Sequence, residues 1–275
     1  LNKYLKYDKQ IYKNIHELRN RLSSKKDLKF LKDEVVSLEN AITLFHAKIV
    51  NNFKKDSIDL VGFHGQTIYH NADEKISKQL GDGSLLSNTT KKNVVYNFRQ
   101  KDIENGGDGA PLAPIFHQLL AYKKKINLPV TILNIGGIAN ATFISRENKI
   151  SSLDIGPGNC LIDQWIRANT NKNYDEEGRT AESGSINKII LDQSLDNFYN
   201  SDVSKKRSYD IKDFDVSFAR GLSLEDGAAT LTEFTAQIIS KKIFDQNIYI
   251  CGGGRKNKFL IKSFENIIKN KVKLI

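Results

Sequence analysis

A short segment in the middle of the chain combines two carboxylates with a glycine-rich turn. It reads SSLDIGPGNCLIDQW over residues 151–165, with Asp154 at the end of an apolar strand and Asp163 in the first turns of a predicted helix. Glycines at the turn let the backbone approach a ligand closely. A helix N-terminus offers unpaired N–H groups and the positive end of the helix dipole, which suit a phosphate. The spacing therefore predicts a phosphate site with a carboxylate beside it, as a phosphotransferase requires.

The predicted helix has one face for the core and another for a ligand. Its apolar residues form i,i+4 pairs, Leu161 with Trp165 and Ile162 with Ile166. Asp163 lies off this stripe and can act as a general base, because a base needs only to reach the proton and to have a suitable pKa. The alternative interpretation is that Asp154 caps a helix and Asp163 is solvated.

Two further glycine turns are candidate nucleotide contacts. Gly136–Gly137, flanked by Asn134 and Asn140, follows one predicted strand, and Gly252–Gly254 follows another strand and precedes a helix. Glycines leave room for a phosphate path, a base or a ribose. Each turn alone is equally typical of a tight hairpin or loop, but three such turns in one half of the chain favour a nucleotide site.

Polar residues in the first half predict a second ligand region. They follow one predicted strand or surround a glycine loop, and they are His64, Gln66, Thr67, Arg99, Asp102, Gly106, Gly107, Asp108 and Gly109. An arginine can hold a carboxylate through two hydrogen bonds, and an aspartate can accept hydrogen bonds from sugar hydroxyls. The alternatives are a local Arg99–Asp102 surface pair, or a transition-metal site built from His64, His70 and His117.

Composition limits the class of protein. The 275 residues are 39% hydrophobic, enough for one large or two medium domains, and no segment is apolar for long enough to span a membrane. The net charge of +10 allows nucleic-acid binding, but the lysines are dispersed apart from runs at Lys123–Lys125 and Lys205–Arg207, so we expect no nucleic-acid partner. Two distant cysteines fit a reducing cytoplasm. The absence of methionine suggests a fragment without its natural start.

Periodicity and turn signals predict alternating helices and strands. Residues 1–55 are expected to be helical, with a stripe over Glu34–Phe53 formed by Val36, Leu38, Ile42, Leu44, Ile49 and Val50. A helix from Pro111 to Lys125, a loop-rich segment 172–215, and helices starting near Ser223 and Asn257 are also expected. The predicted strands are 59–63, 93–98, 130–134, 141–145, 150–154 and 248–251, of which the first is expected to be buried. Leu128-Pro129 is the predicted domain junction, and the three strands after it resemble the opening of a ribonuclease-H-like domain.

Seven ordered blocks resemble one family, the anhydro-N-acetylmuramic acid kinases. They are GFHGQTIYH (62–70), NFRQKDIENGGDGAPLAPIFH (97–117), LNIGGIANAT (133–142), LDIGPGNCLIDQW (153–165), KRSYDIKDF (206–214), LEDGAATLTEFTA (224–236) and CGGGRKN (251–257). The resemblance implies an α/β, actin/hexokinase-like fold with two ribonuclease-H-like domains around a cleft. The sugar-contacting domain would be 1–127, incomplete, and the nucleotide-contacting domain 128–275.

The resemblance also implies an activity. ATP and Mg²⁺ would be used to open 1,6-anhydro-N-acetylmuramic acid with water and to phosphorylate O6, in cytoplasmic recycling of peptidoglycan. Asp163 would activate the water, and Asp154 would face the phosphates and hold magnesium, directly or through water. The other implied nucleotide contacts are Asn134, Gly136, Gly137, Gly156, Gly158, Asn159, Gly252, Gly253, Gly254 and Asn257. The implied sugar contacts are His64, Gln66, Thr67, Arg99, Asp102, Gly106, Gly107, Ala110 and Pro111.

The chain also departs from the family pattern. A GTMSGTSxDG-type phosphate loop and a final glutamate-containing segment are expected at the two ends but are not in this sequence, so we expect this chain alone to be poorly active. Asn97, Asp108 and Ile155 replace the usual Asp, Gln and Thr. The alternatives are a non-catalytic sugar sensor and a metal-dependent transferase of the same superfamily. Oligomeric state leaves no signature in the sequence, and a homodimer stays open.

Overall fold

A computed structural model describes residues 5–53, 58–206, 209–245 and 247–275. Its contacts divide the chain into two compact units, Leu1–Leu112 and Ala113–Ile275. This division places one helix, residues 113–123, with the second unit, whereas the sequence analysis put the domain boundary after residue 127. The described residues leave out parts of the segment 1–55. They also leave out Arg207 and Ser208, which belong to the 206–214 block; Arg207 is also the last residue of the Lys205–Arg207 run.

The first unit combines five helices with two two-stranded sheets in its described part. The helices are Lys9–Arg21 (α1), Lys25–Phe30 (α2), Lys32–Asn51 (α3), Gly83–Thr90 (α4) and Phe98–Glu104 (α5). The strands are Leu60–Phe63 (β1), Gln66–Asn71 (β2), Ile76–Leu80 (β3) and Asn93–Tyr96 (β4). β1 pairs with β4 in parallel, and β2 pairs with β3 as an antiparallel hairpin that the sequence analysis did not predict.

The predicted stripe of α3 is correct in part. Leu38 and Ile42 are buried in a cluster with α1 and the β2–β3 hairpin, whereas Val36 and Leu44 are exposed. Val35, rather than Val36, is buried in this cluster. The prediction that 59–63 is a buried strand is wrong for most of its length, since only Phe63 of β1 is buried. A two-stranded sheet covers few of its own side chains, which explains this exposure.

The second unit is built on one five-stranded sheet. Its strands are Val130–Ile135 (β5), Ile138–Ile144 (β6), Ile150–Pro157 (β7), Ile248–Cys251 (β8) and Lys273–Leu274 (β9). Its helices are Ala113–Lys123 (α6), Cys160–Asn169 (α7), Arg179–Glu182 (α8), Lys188–Asn200 (α9), Leu224–Ser240 (α10) and Lys258–Ile268 (α11).

The sheet has the order β7-β6-β5-β8-β9. β5, β6 and β7 pair antiparallel, while β8 is parallel to β5 and β9 is parallel to β8. Three strands followed by a helix are the order that the sequence predicted, and the structure shows that these strands pair antiparallel. The α/β class is confirmed. Because β5, β7 and β8 run in the same direction, their carboxyl ends meet at one edge, where open α/β sheets bind ligands.

Both faces of this sheet are covered by helices. Leu133, Ile135 and Ile250 pack with residues of α10 and α11, including the fully buried Phe264. Val130 and Ile132 pack with α6 in a separate cluster. Each buried side chain of this size contributes roughly 1.5–3 kcal/mol relative to exposure.

The helix α10 begins as predicted. The Ser223 hydroxyl accepts a hydrogen bond from the Asp226 N–H at 3.0 Å, so it caps the helix. Eleven of the seventeen residues are buried because α10 packs on the sheet and also on α7, α8 and α9. All four residues of the predicted α7 pairs are buried as well, which confirms the core face of that helix.

Two predictions about helix positions are wrong. α6 begins at Ala113 rather than Pro111, and Pro114 is the proline in its first turn, where the missing N–H costs little. The segment 172–215 contains α9, whose start is capped by the Asn187 side chain accepting from the Ile190 N–H at 3.1 Å. The signal for α9 was the i, i+4, i+7 spacing of Leu191, Leu195 and Phe198, all buried. Among the described residues, no helix has the length and apolar character to cross a bilayer.

The contact between α7 and α10 gives a stability prediction. The Trp165 indole donates to the Leu224 carbonyl at 2.9 Å, and a Cβ added at Gly227 would clash with the indole ring. We expect Gly227→Ala to lower the free energy of unfolding by about 1–3 kcal/mol through overpacking. Gly62→Ala is the control, because its Cβ would meet nothing within 4 Å. Urea denaturation checks the difference, and equal midpoints for the two variants would contradict it.

Candidate functional site

Three glycine turns of the second unit meet at the edge formed by the carboxyl ends of β5, β7 and β8. We call this the glycine edge, and its turns are Gly136–Gly137, Gly156–Asn159 and Gly252–Gly254. The structure therefore brings together the three turns that the sequence analysis singled out. Asn134 lies at the same edge, where its side-chain oxygen is 3.8 Å from the Cys251 sulfur.

The first two turns are joined by backbone hydrogen bonds. The Asn159 N–H donates to the Gly136 carbonyl at 2.8 Å. The N–H groups of Gly158 and Cys160 donate to the Gly137 carbonyl at 2.9 and 3.2 Å. The sequence analysis expected unpaired N–H groups at this helix start, but these three are engaged within the protein. A Cβ on Gly158 would clash with the Gly136 carbonyl, so this glycine is needed for the turns to meet.

The third turn packs directly against the first two. Gly252 has a φ of +84°, and a Cβ there would lie 2.5 Å from the Asn134 side-chain oxygen. A Cβ on Gly254 would clash with the Ile135 side chain, and one on Gly253 would make only an ordinary contact of 3.6 Å with Asn159. Gly252 and Gly254 therefore allow a close approach of backbone to β5. Asn257, predicted as a nucleotide contact, is buried and caps α11 by accepting from the Leu260 N–H at 2.9 Å.

Asp163 lies in the first turn of α7, the helix that begins directly after the Gly156–Asn159 turn. Its side chain is half-buried, and burial raises the pKa of this carboxyl to about 6. Arg167 lowers the pKa and Asp175 raises it, both through charge. A carboxylate with a pKa near 6 is deprotonated at neutral pH yet basic enough to accept a proton, as a general base requires.

Asp154 is anchored to a distant part of the chain. Its Oδ2 accepts the Tyr209 N–H at 2.9 Å. Its charge also acts on Lys242, whose pKa is lowered by burial and raised by Asp154. Asp154 is held by the Tyr209 N–H within β7. The prediction that the strand ends at Asp154 is wrong, because pairing with β6 continues to Pro157.

The predicted sugar residues of the first unit form a hydrogen-bonded group. The Arg99 guanidinium donates to the His64 Nε2 at 3.1 Å and to the Gly109 carbonyl at 3.2 Å. The Asp102 carboxylate accepts the Gly109 N–H at 2.8 Å. Among the described residues, Arg99 and Asp102 thus both bind Gly109 rather than each other. The alternative interpretation, a local surface pair of Arg99 with Asp102, is therefore wrong. A Cβ on Gly107 would clash with the Asp102 carboxylate.

The remaining predicted sugar residues lie around this group. Gln66 and Thr67 open β2, and the Thr67 hydroxyl accepts from the Gln79 amide at 3.3 Å. Gly106 has a φ of +90° and open space where a Cβ would lie. Ala110 and Pro111 follow Gly109 in the chain, before α6. Burial lowers the pKa of Arg99.

The histidines do not assemble as the metal alternative required. His117 belongs to α6 in the second unit, where its Nδ1 lies 2.8 Å from the Thr142 hydroxyl. His70 belongs to the first unit, where its Nδ1 lies 3.0 Å from the Ser77 hydroxyl. Over residues 5–53, 58–206, 209–245 and 247–275, no three His, Cys, Asp or Glu side chains are grouped to hold a metal ion.

Sequence reasoning missed the residues that surround the two aspartates. Asp175 is buried and accepts the N–H groups of Thr180 and Ala181 at 2.9 and 3.0 Å. Tyr209 and Lys242 lie 55 or more positions from Asp154, so no local pattern could relate them. Asp175 alone had a signal, because an aspartate before a short helical turn is a typical cap.

Known proteins match this chain over nearly its whole length. The profile of the family described as anhydro-N-acetylmuramic acid kinase matches residues 7–274. A relative of that name from Pelagibacter ubique is 51% identical, with 99% of this chain and 76% of the relative covered. The chain belongs to the anhydro-N-acetylmuramic acid kinase family. Relatives of the same name from Zymomonas mobilis and Agrobacterium fabrum are 39% and 37% identical over 88% and 83% of this chain.

The chain is shorter than these members of the family. It spans 76%, 69% and 65% of the length of the three relatives. Among solved structures, component A of the Acidaminococcus fermentans (R)-2-hydroxyglutaryl-CoA dehydratase is similar with a TM-score of 0.44 and 14% identity, over 81% of this chain and 72% of that one. The Clostridium difficile activator of 2-hydroxyisocaproyl-CoA dehydratase has a TM-score of 0.40 and 13% identity, over 70% and 72%.

The contact between the first two glycine turns can be tested by a matched pair of substitutions. Gly158→Ala should destabilise the protein by roughly 1–3 kcal/mol, because its Cβ would meet the Gly136 backbone, which cannot move aside cheaply. Gly253→Ala should change the free energy of unfolding by less than about 0.5–1 kcal/mol, as its Cβ makes an ordinary contact. Thermal and urea unfolding measure both, and a Gly158→Ala protein as stable as Gly253→Ala would refute the contact.

The raised pKa of Asp163 predicts a dependence of stability on pH. Because its pKa is about 6 in the folded protein and about 3.9 in an unfolded chain, folding is disfavoured when the carboxyl is ionised. This penalty is absent below about pH 4, appears as pH rises to 6, and is complete above it. Asp163→Asn should therefore be more stable than the wild type at pH 8 but not at pH 4. Urea titrations across this range decide, with the exposed Asp196→Asn as control.

Proposed function

We propose that this chain carries the nucleotide and sugar sites of an ATP-dependent kinase that opens 1,6-anhydro-N-acetylmuramic acid with water and phosphorylates its O6. The product would be N-acetylmuramic acid 6-phosphate. The observation that carries the proposal is the half-buried carboxylate of Asp163, with a pKa near 6, in the helix that starts at the glycine edge. Family membership supplies the substrate class.

The glycine edge is the proposed nucleotide site. Its location at the carboxyl ends of parallel strands, and its close-packed glycine backbone, support this assignment. Asn134 and Asn159 bring amide groups to the same edge. The engaged N–H groups of residues 158–160 argue that phosphate contacts come from other groups of the edge and from Mg²⁺.

Mg²⁺ is proposed as the partner of ATP. In kinases this ion is usually held by one or two carboxylates together with substrate phosphates and water, rather than by a cage of protein ligands. Asp154 is a hard oxygen donor in the segment that forms the edge, so it fits such an ion when phosphates and water supply the other ligands. When bound, Mg²⁺ would neutralise charge on the transferring phosphoryl group.

Asp163 is the proposed general base. It would take a proton from the water that attacks the anomeric carbon while the bond from that carbon to O6 breaks. The freed O6 then forms a bond to the γ-phosphorus, and ADP leaves. The carboxylate is suited to the first step because its pKa lies just below neutral pH.

The group around Arg99 is the proposed sugar site. N-acetylmuramic acid carries a carboxylate, and a guanidinium can hold a carboxylate through two hydrogen bonds. The Arg99 side chain is fixed by the Gly109 carbonyl, and the Asp102 carboxylate accepts the N–H of the same residue. Of the two alternatives, the metal-dependent transferase has no grouped ligands among the described residues.

The decisive experiment uses the complete protein encoded by the gene. It is incubated with ATP, Mg²⁺ and 1,6-anhydro-N-acetylmuramic acid in ¹⁸O-water, and the product is analysed by mass spectrometry. A phosphorylated sugar with ¹⁸O at the anomeric carbon would support both ring opening by water and phosphoryl transfer. ATP binding without any sugar product would favour the non-catalytic sensor.

Removal of the base should separate catalysis from binding. Asp163→Asn is expected to lower kcat by about 10²–10⁴-fold, the usual contribution of general base catalysis, while the dissociation constant for ATP changes little. In the wild type, kcat should fall tenfold per pH unit below about pH 6, because the base becomes protonated. Asp196→Asn, an exposed substitution on α9, is the control. Turnover retained by Asp163→Asn would place the base elsewhere.

A further inference from the structure

A segment that contacts the glycine edge has no role in the proposed function. This strap comprises residues 209–214, and its end residues Tyr209 and Phe214 are buried, whereas Asp210, Ile211 and Lys212 are exposed. Its first residue, Tyr209, is buried and packs on Phe214 with ring centroids 5.3 Å apart. Its backbone N–H donates to the Asp154 carboxylate at 2.9 Å.

The strap also touches the first glycine turn. The Ile211 side chain would lie 3.6 Å from a Cβ placed on Gly137, within van der Waals contact. The strap therefore contacts both Asp154, within β7, and the turn after β5. A shift of the strap would change the orientation of the Asp154 carboxylate and the space beside Gly137.

Lys242 is the cation that lies behind this contact. It follows the end of α10, and its ammonium donates to the Tyr209 hydroxyl at 3.4 Å while lying 5.3 Å from the centre of the ring. The Tyr209 hydroxyl donates in turn to the Ser204 carbonyl at 3.3 Å. Burial lowers the pKa of Lys242, and the Asp154 carboxylate opposes this shift. One side chain thus acts on both partners of the strap contact.

We propose that Lys242 is a positioning residue, which holds the strap on Asp154 and thereby fixes this carboxylate and the Gly136–Gly137 turn for the nucleotide. The inference rests on the proposed function, since it places the nucleotide at the glycine edge. Lys242 itself acts through Tyr209 and Asp154, and its ammonium is engaged by them.

The neighbouring residue provides a matched control. Lys241 also follows α10, and its ammonium lies 4.1 Å from the centre of the Tyr199 ring. The two lysines therefore share a residue type, a helix end and a tyrosine partner, but only Lys242 contacts the strap. General effects of removing a lysine from this helix end should be the same in both.

The test compares Lys242→Met, Lys241→Met and Lys242→Arg in the complete protein. The first measurement is hydrogen exchange of the Tyr209 amide, which reports the strap contact whether or not the protein is a kinase. We expect exchange about tenfold faster in Lys242→Met, since local opening becomes easier, and near wild-type exchange in Lys241→Met. Lys242→Arg should restore protection because it keeps the cation.

The second measurement is the affinity for Mg²⁺–ATP by calorimetry. We expect it to weaken about tenfold in Lys242→Met and to stay within about twofold in Lys241→Met. In an Asp154→Asn background, Lys242→Met should add less than about twofold, because the partner through which it acts is already lost.

The outcomes separate the positioning role of Lys242 from the proposed kinase function. Equal effects of the two lysine substitutions, or full additivity with Asp154→Asn, would overturn the positioning role even if the protein is a kinase. If the wild type failed to bind Mg²⁺–ATP, the assignment of the glycine edge as a nucleotide site would be overturned. The role of Lys242 in positioning residues for the nucleotide would be overturned with it. In that case unequal Tyr209 exchange would leave Lys242 with a purely structural contact.

Discussion

The backbone of the Gly136–Gly137 turn accepts three N–H groups from residues 158–160, and the geometry of the second unit's candidate site follows from this contact. It fixes the end of β7 against the end of β5, and so sets where α7 begins and where Asp163 lies. The contact requires a residue without a side chain at Gly158. It also engages amides that would otherwise be free to bind an anion, which shows that a glycine-rich turn before a helix can serve the protein's own packing as much as a ligand.

The two aspartates of the central segment differ in their surroundings. Asp163 is half-buried, its pKa is raised by burial, and the nearby Asp175 strengthens the shift. Asp154 accepts the Tyr209 N–H at 2.9 Å, and its charge acts on the half-buried Lys242. The two carboxyl groups therefore have different environments, the general pattern by which acid–base roles are divided.

A shared arrangement relates the groups around Arg99 and around Asp154. In each, a charged side chain holds the backbone of a loop: Arg99 and Asp102 hold Gly109, and Asp154 holds Tyr209. Charged groups bound to backbone in this way have fixed orientations before a ligand arrives. Such preorganisation reduces the loss of entropy on binding, so rigid loops at both places suit the recognition of a charged sugar and a nucleotide.

Local patterns in the sequence were sufficient for the α/β class, the strands β5–β8, the cap at Ser223 and the buried face of α7. These features depend on periodicity, capping and turn residues, which act over a few positions. The exposed face of β1 and the partners of Asp154 and Arg99 needed the tertiary structure, because they depend on which distant segments pack together. The backbone amides of Asn159 and Cys160 illustrate this difference between local and tertiary information. Their position at a helix start indicated an anion site, but in the folded chain they donate to the carbonyls of Gly136 and Gly137.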